Sequence, residues 1–242
     1  MTNRLTKYRK IWQEKKILRE SYIPWYKKII SDLSINSGKT LEIGSGTGNF
    51  KEYKKDLITS DIEKCSWLDM SFDAHKMPFK NHSLANIVMV DVLHHLKDPI
   101  LFLNEADRVL KKGGRVIMIE PFPSLFSLPV YRKFHPEPFI MNVDYFNLRR
   151  QKGKKDPWDS NQAIPYLLFF KNRQKTEKIF SKKLRLLKVE KLSFIVYPLS
   201  GGFENKSMVP DLLIPFLKLL EIILKPLRDF ISFRCYIVLE RL

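Results

Sequence analysis

Thr40–Phe50 reads T-L-E-I-G-S-G-T-G-N-F. The apolar Leu41-Glu42-Ile43 predicts a strand. It runs into glycines at Gly44, Gly46 and Gly48, then into the polar, helix-compatible Asn49–Lys55. Strand, glycine turn, helix is how an α/β protein brings its main chain against a nucleotide-like ligand, because glycine lacks the Cβ that would hold the ligand off. The spacing is G-x-G-x-G, not the G-x-G-x-x-G of dinucleotide folds.

Working outward, Leu57–Asp61 predicts a second short strand ending in an acid, placed to accept from two ribose hydroxyls as in Rossmann-type sites. Asp73-Ala74-His75-Lys76-Met77-Pro78-Phe79 follows, then a third strand, Asn86–Asp91, then His94-His95 and Pro99. Phe102–Leu110 predicts a helix ending in Lys111-Lys112-Gly113-Gly114, because basic residues followed by glycine mark helix C-termini. Arg115–Glu120 predicts a fourth strand. Only about eight residues separate Gly48 from the second strand, so the first helix is short. The eleven residues Ile62–Phe72 leave little room for another.

These pieces, L-E-I-G-S-G-T-G, Asp61, D-A-H-K-M-P-F, D-V-L-H-H-L-K-D-P and E-A-D-R-V-L-K-K-G-G-R-V, resemble in content and order the class I S-adenosylmethionine (SAM)-dependent methyltransferases, in particular their small-molecule branch. The resemblance covers residues 38–120. P-W-D-S-N-Q-A-I-P and Y-P-L-S-G-G-F are similar, more loosely, to methyltransferases found with bacterial cell-surface polysaccharide assembly. The resemblance implies an α/β, Rossmann-like sheet of seven strands, mainly parallel, with helices on both faces, a last antiparallel strand and a substrate lid insertion. It implies SAM as cofactor. Gly44, Ser45, Gly46 and Gly48 would offer backbone N–H groups, and Glu42 would lie near the amino group. Asp61 would hold the ribose, Asp73 and the Ala74 amide the adenine, and Asp91 the methionine end. Each acid also has a plainer reading, as a strand-end or turn acid.

Methyl transfer relies largely on positioning and desolvation. A general base matters when the acceptor is a poor nucleophile such as a sugar hydroxyl. Asp91, His94, His95 and His135 are the candidates, the last in H-P-E-P-F with Glu137 two residues on. A structural imidazole, or a turn stiffened by proline, is the competing reading. Asn161 and Gln162 are candidate acceptor contacts. Five scattered His and two Cys give no metal-ligand spacing, so no metal is expected.

The chain of 242 residues suffices for one α/β domain. Residues 1–37 predict N-terminal helices interrupted by Pro24, which in such enzymes pack beside the cofactor mouth. Residues 38–120 form the SAM core. Residues 121–170, rich in Pro and aromatics, form the lid over the acceptor. Residues 171–242 complete the sheet: a basic helix at Asn172–Lys183, a strand at Leu186–Pro198, an amphipathic helix at 210–230 and a last strand at Phe233–Leu239. Cys65 and Cys235 show no motif, and Met1–Lys10 lacks an apolar stretch behind it. A reduced, cytoplasmic protein is expected, without signal peptide or membrane span.

The net charge of +17 is uneven: residues 1–30 carry nine Lys/Arg against two acids, and residues 149–191 fourteen against four. A phosphate, lipid head group or RNA is the functional reading, solvated helix faces the plain one. In Pro210–Phe230 the polar residues Lys218, Glu221, Lys225, Arg228 and Asp229 form one narrow stripe, and the rest is apolar but for Asp211. It reads as an anionic-membrane contact or a homodimer interface, with burial under the sheet third. The leading function is O-methylation of a saccharide or lipid-linked glycan precursor at the membrane face. An RNA methyltransferase ranks below it, since no RNA-binding module is present. A non-catalytic SAM-binding scaffold is the remaining alternative.

Overall fold

The computed structural model describes residues 3–147 and 158–242. In chain order its elements are α1 (Asn3–Glu14), α2 (Lys16–Ser31), β1 (Lys39–Ile43), β2 (Leu57–Asp61), β3 (Met70–Ser71), β4 (Leu84–Val90), α3 (Pro99–Val109), β5 (Leu110–Pro121), α4 (Ser127–Phe134), α5 (Ile164–Tyr166), α6 (Arg173–Phe180), β6 (Leu184–Leu192), α7 (Val196–Ser200), α8 (Ile214–Ile223), α9 (Arg228–Ile231) and β7 (Arg234–Arg241). Seven strands form one sheet in the order β3-β2-β1-β4-β5-β7-β6. Strands β1 to β5 are parallel, and β7 runs antiparallel between β5 and β6. This is the class I methyltransferase sheet that the sequence implies.

Strand alternation divides the core between the two faces. Ile87, Met89, Val116, Met118, Cys235 and Ile237 pack with α3 and the 163–180 helices. Their neighbours Val88, Ile117, Ile119, Tyr236 and Val238 pack with Trp12 of α1 and with α2. The last strand thus alternates between the two faces. Asp98 caps α3, its side chain accepting from Leu101 N at 2.8 Å, and Pro99 occupies the first turn, where no donor is needed.

Several expected boundaries move. Pro24 lies inside α2 without ending it. The helix after the glycines is a single 3-10 turn, Asn49–Glu52. Lys111–Gly114 belongs to β5, not to a helix end. Gly114 is needed there for close approach: a Cβ would sit 2.8 Å from Lys111 O and 2.9 Å from Ala85 O. The expected strand to Pro198 stops at Leu192. Ser193 turns the chain with φ +60°, and its Oγ accepts from Trp25 Nε1 at 2.7 Å. The expected 210–230 helix is broken into pieces, with 3-10 turns at Asp211–Leu213 and Lys225–Leu227 around α8 and before α9. Pro215 and Pro226 each start a new piece, where a missing N–H does no harm. Among the described residues, no helix is long and apolar enough to cross a membrane. Pro157 and the basic residues from 149 to 155 lie outside the described residues.

Candidate active site

The glycine turn is built by backbone conformation. Gly44, Gly46 and Gly48 take φ of +67°, +50° and +75°, which disfavours any side chain. A Cβ on Gly44 would also lie 2.3 Å from Val92 Cγ2. Ser45 ties the turn to β2: its N–H donates to Ser60 O at 2.8 Å, and its Oγ accepts from Ser60 N at 3.1 Å. Asp61 ties it again, accepting from Gly46 N and from Glu63 N, each at 3.0 Å.

Around this turn lies a cavity of about 550 Å³. Glu42, Gly44, Ser45, Gly46, Asp61, Asp73, Ala74 and Asp91 line it, and so do His94, His95 and His135. Gly48 does not line it and instead begins the 3-10 turn. Burial raises the Glu42 carboxyl to about 8, with nearby Asp61 adding to the effect. Its Oε2 has no hydrogen-bond partner among the described residues. Burial also raises Asp61. Asp73 accepts from His75 N at 2.9 Å and contacts its Nδ1 at 2.6 Å.

The opposite half of the cavity is built from residues distant in sequence. Asp91 takes the left-handed φ of +57° at the end of β4 and pairs with Arg234 Nε at 3.1 Å. Arg234 is buried at the start of β7 and also donates to the hydroxyls of Tyr131, at 2.7 Å, and Tyr197. Glu120 is fully buried at the end of β5. Its Oε1 accepts from Val92 N and Leu93 N at 2.9 and 2.7 Å, and its Oε2 meets His94 Nδ1 at 2.7 Å. Glu137 Oε2 lies 3.3 Å from His94 Nε2, and its Oε1 lies 3.6 Å from His95 Nε2.

His94 is thus held between two carboxylates. Burial opposes its charge, but Glu120 and Glu137 outweigh burial and lift the imidazole to about 10. Glu137 is itself held well below the usual carboxylate range: His94 foremost, with His95 and His135, overcomes its burial. His94 therefore carries its proton at neutral pH and is a poor base. His135 is lowered to about 4, chiefly by burial. Its Nδ1 accepts from Gln162 Nε2 at 2.6 Å and from Glu137 N at 3.3 Å, so its ring proton sits on Nε2. That leaves His135 without a lone pair for an acceptor proton. Of the four candidate bases, Asp91 is paired with Arg234, and the geometry keeps His95, beside Glu137.

Glu120, Glu137 and Arg234 were not among the sequence candidates. Asn161 is occupied elsewhere: its side chain binds Ile140, Ala163 and Tyr145. Gln162 is buried at the cavity wall, and its Oε1 has no partner among the described residues. The fold also brings together ligand-capable groups that the sequence spacing does not join. The ligand-capable atoms of His94, His95 and Glu137 lie within 4.8 Å of one another, because the turn at 135–138 brings Glu137 over the histidine pair.

The mouth is fastened by α1. Arg4 pairs with Glu204 at 2.5 Å, Tyr8 donates to the same carboxylate, and the Arg4 guanidinium stacks 3.9 Å from the Trp158 ring centroid. Trp158 Nε1 donates to Glu63 Oε1 at 2.7 Å, just beyond Asp61. Arg4, Leu5 and Tyr8 of α1 line the cavity at this mouth.

The fold is that of the class I SAM-dependent methyltransferases, and the comparisons with known proteins agree with it. Residues 41–118 match the methyltransferase domain family. Among curated proteins the chain is similar to the demethylmenaquinone methyltransferase of Staphylococcus aureus, 23% identical over 158 residues. That alignment takes in 57% of this chain and spans 65% of the relative's length. Among solved structures it resembles a SAM-dependent methyltransferase from Archaeoglobus fulgidus (TM-score 0.56, 16% identity, covering 93% of this chain and 94% of that one). It also resembles geranyl diphosphate C-methyltransferase from Streptomyces coelicolor (TM-score 0.53, 11% identity, covering 93% and 81%). SAM is the cofactor, and the residues fit it. The glycine turn leaves room for a ligand against the main chain, and the buried Glu42 carboxyl, whose Oε2 has no partner among the described residues, suits its ammonium group.

Proposed function

We propose that the enzyme methylates a hydroxyl of a saccharide-type acceptor, of the kind carried by lipid-linked precursors of cell-surface polysaccharides. The observation that carries this reading is the polar wall facing the glycine turn. There Glu137, His95 and the unpartnered Oε1 of Gln162 face the same cavity. A wall of acceptors suits a substrate rich in O–H donors, because each buried acceptor needs a donor.

SAM, when bound, supplies an activated methyl group. The chain's own residues do the rest. Glu42 and Asp61 hold the cofactor side. The described residues of 121–147 and 158–170 act as the lid: Tyr131, His135 and Glu137 wall the acceptor side and exclude water. His95, beside the ionised Glu137, receives the proton of the acceptor hydroxyl, and Glu137 orients that imidazole and stabilises the imidazolium that forms. His94, charged and clamped by Glu120, holds Glu137 in place and does not exchange its proton.

A second reading, methylation of a prenylated ring, is favoured by the apolar Val130 and Phe134 at the mouth and by the likeness to the Staphylococcus enzyme. Incubation with methyl-labelled SAM and the total lipid, glycan and RNA fractions separates the readings. A methyl ether recovered in the sugars after hydrolysis is expected. Label in the quinone fraction would establish the second reading, and label in RNA would overturn both. No transfer into any fraction, with SAM still bound, would leave a non-catalytic scaffold.

A further inference from the structure

The segment after α7 is turned inside out. Three of its polar residues are tied to the protein: Lys218 pairs with Glu20, Glu221 accepts from Phe194 N and Ile195 N at 3.0 Å each, and Asp229 pairs with Lys191 at 3.2 Å. Its large apolar residues face outward instead. Leu212 is 88% exposed and Ile222 70%, with Phe216, Leu219, Ile223 and Phe230 exposed beside them. Only Ile214 and Leu217 of α8 are buried, so the segment does not lie under the sheet.

The surface continues to the cavity. Phe126 N donates to Phe230 O at 3.2 Å, which places the exposed Leu125 and Phe126 next to α9. From there α4 carries the exposed Val130 and Phe134 into the cavity lining, and the exposed Met208 lines it too. Basic side chains accompany this apolar apron: Lys225 and Arg228 on the segment itself, Arg132 and Lys133 on α4, all exposed. None of the four makes an ion pair among the described residues.

We propose that this face, from α8 and α9 through α4, lies on the surface of an anionic lipid bilayer, with the acceptor side of the cavity opening along it. A bilayer takes both parts of the face: its acyl boundary accepts the Leu, Ile and Phe side chains, and its head groups accept the four cations. A second copy of the same chain would bring the same four cations to the contact, with Asp211 the one acid of 210–230 outside these pairings. The enzyme therefore works on acceptors held in the membrane. The attachment itself does not depend on which atom is methylated, so its experiment needs no acceptor.

The test is flotation of the full chain with vesicles of phosphatidylcholine alone or enriched in phosphatidylglycerol, at low and high salt, with sizing in parallel. The wild type is expected to float with the phosphatidylglycerol vesicles at low salt and to be released by high salt. Lys225→Ala with Arg228→Ala should weaken attachment roughly thirtyfold. Leu219→Asp with Ile223→Asp should abolish it while leaving SAM binding intact. Those side chains are exposed, and intact SAM binding reports a folded protein. A wild type that stays in the soluble fraction with both vesicles would overturn the proposal. So would a dimer that the aspartate pair converts to a monomer, since a second copy would then own the face. Equal flotation with phosphatidylcholine alone would overturn the anionic requirement.

Discussion

Glu42 offers the most direct reading of the cofactor half. Its carboxyl is buried at the end of β1, and burial raises it from an ordinary 4.5 to about 8. The folded chain therefore keeps this proton up to about pH 8, while the unfolded chain loses it above its ordinary value. Between those limits the native state binds the extra proton, so stability falls as pH rises. Each unit costs about 1.4 kcal/mol, which amounts to about 4 kcal/mol between pH 5 and pH 8 at most. Glu42→Gln removes the titration and keeps the shape. Urea unfolding of the cofactor-free protein should show the wild type losing several kcal/mol more than the variant over that range. Calorimetry supplies a second readout. The ammonium of SAM favours ionised Glu42, so binding to the wild type near neutral pH should release a proton, with an enthalpy that depends on buffer. The variant should show neither the release nor the wild-type affinity. Parallel stability curves for the two proteins would refute the reasoning outright.

Three further outcomes are expected. Gly44→Ala forces a side chain into a left-handed backbone and onto Val92; it should cost about 1–3 kcal/mol in denaturant and remove SAM binding, and an unchanged midpoint would contradict the turn geometry. Asp61→Ala should weaken SAM by about 10- to 100-fold in calorimetry, through loss of acceptors for charged-group-strength hydrogen bonds; equal affinity would take Asp61 out of the site. Glu137→Gln removes one of the two carboxylates that raise His94 toward about 10. The stability this histidine contributes is present below its ordinary value of about 6.5 and is lost as pH rises through the folded value. The variant should therefore lose it at lower pH, with the imidazole NMR titration moving down, and turnover should fall by about 10²–10⁴. An unmoved titration would show that Glu137 does not act on His94.

The legible parts of this protein are those written locally. Leu41–Gly48, Leu57–Asp61 and Asn86–Asp91 each combine an apolar run with its terminating signal inside a dozen residues, and the sheet follows from their order. The acceptor half is not written that way. Glu120, Glu137 and Arg234 come from β5, a proline-flanked turn and β7, and their meaning lies in pairings across 26 and 143 residues. No local period marks a buried glutamate that clamps a histidine. Pro210–Phe230 was legible in composition, but its orientation was not, because only the tertiary partners Glu20, Lys191 and the Phe194 and Ile195 amides show which side is inward.

The fastening of α1 carries a kinetic consequence. Arg4 and Glu204 stand 200 residues apart in the chain and meet over the cavity, while Trp12, buried in the core, anchors the far end of the same helix. Lys15 breaks the helical path between α1 and α2, with φ −97° and ψ 91°. Opening the mouth at α1 would undo the Arg4–Glu204 pair, the Tyr8 hydrogen bond to the same carboxylate, the guanidinium on Trp158 and the burial of Leu5 and Tyr8 against Cys65 and Phe203. Dissolved ions screen only the charged contacts. Passage of cofactor past α1 is therefore expected to respond only weakly to ionic strength, since most of what closes the rim is apolar packing.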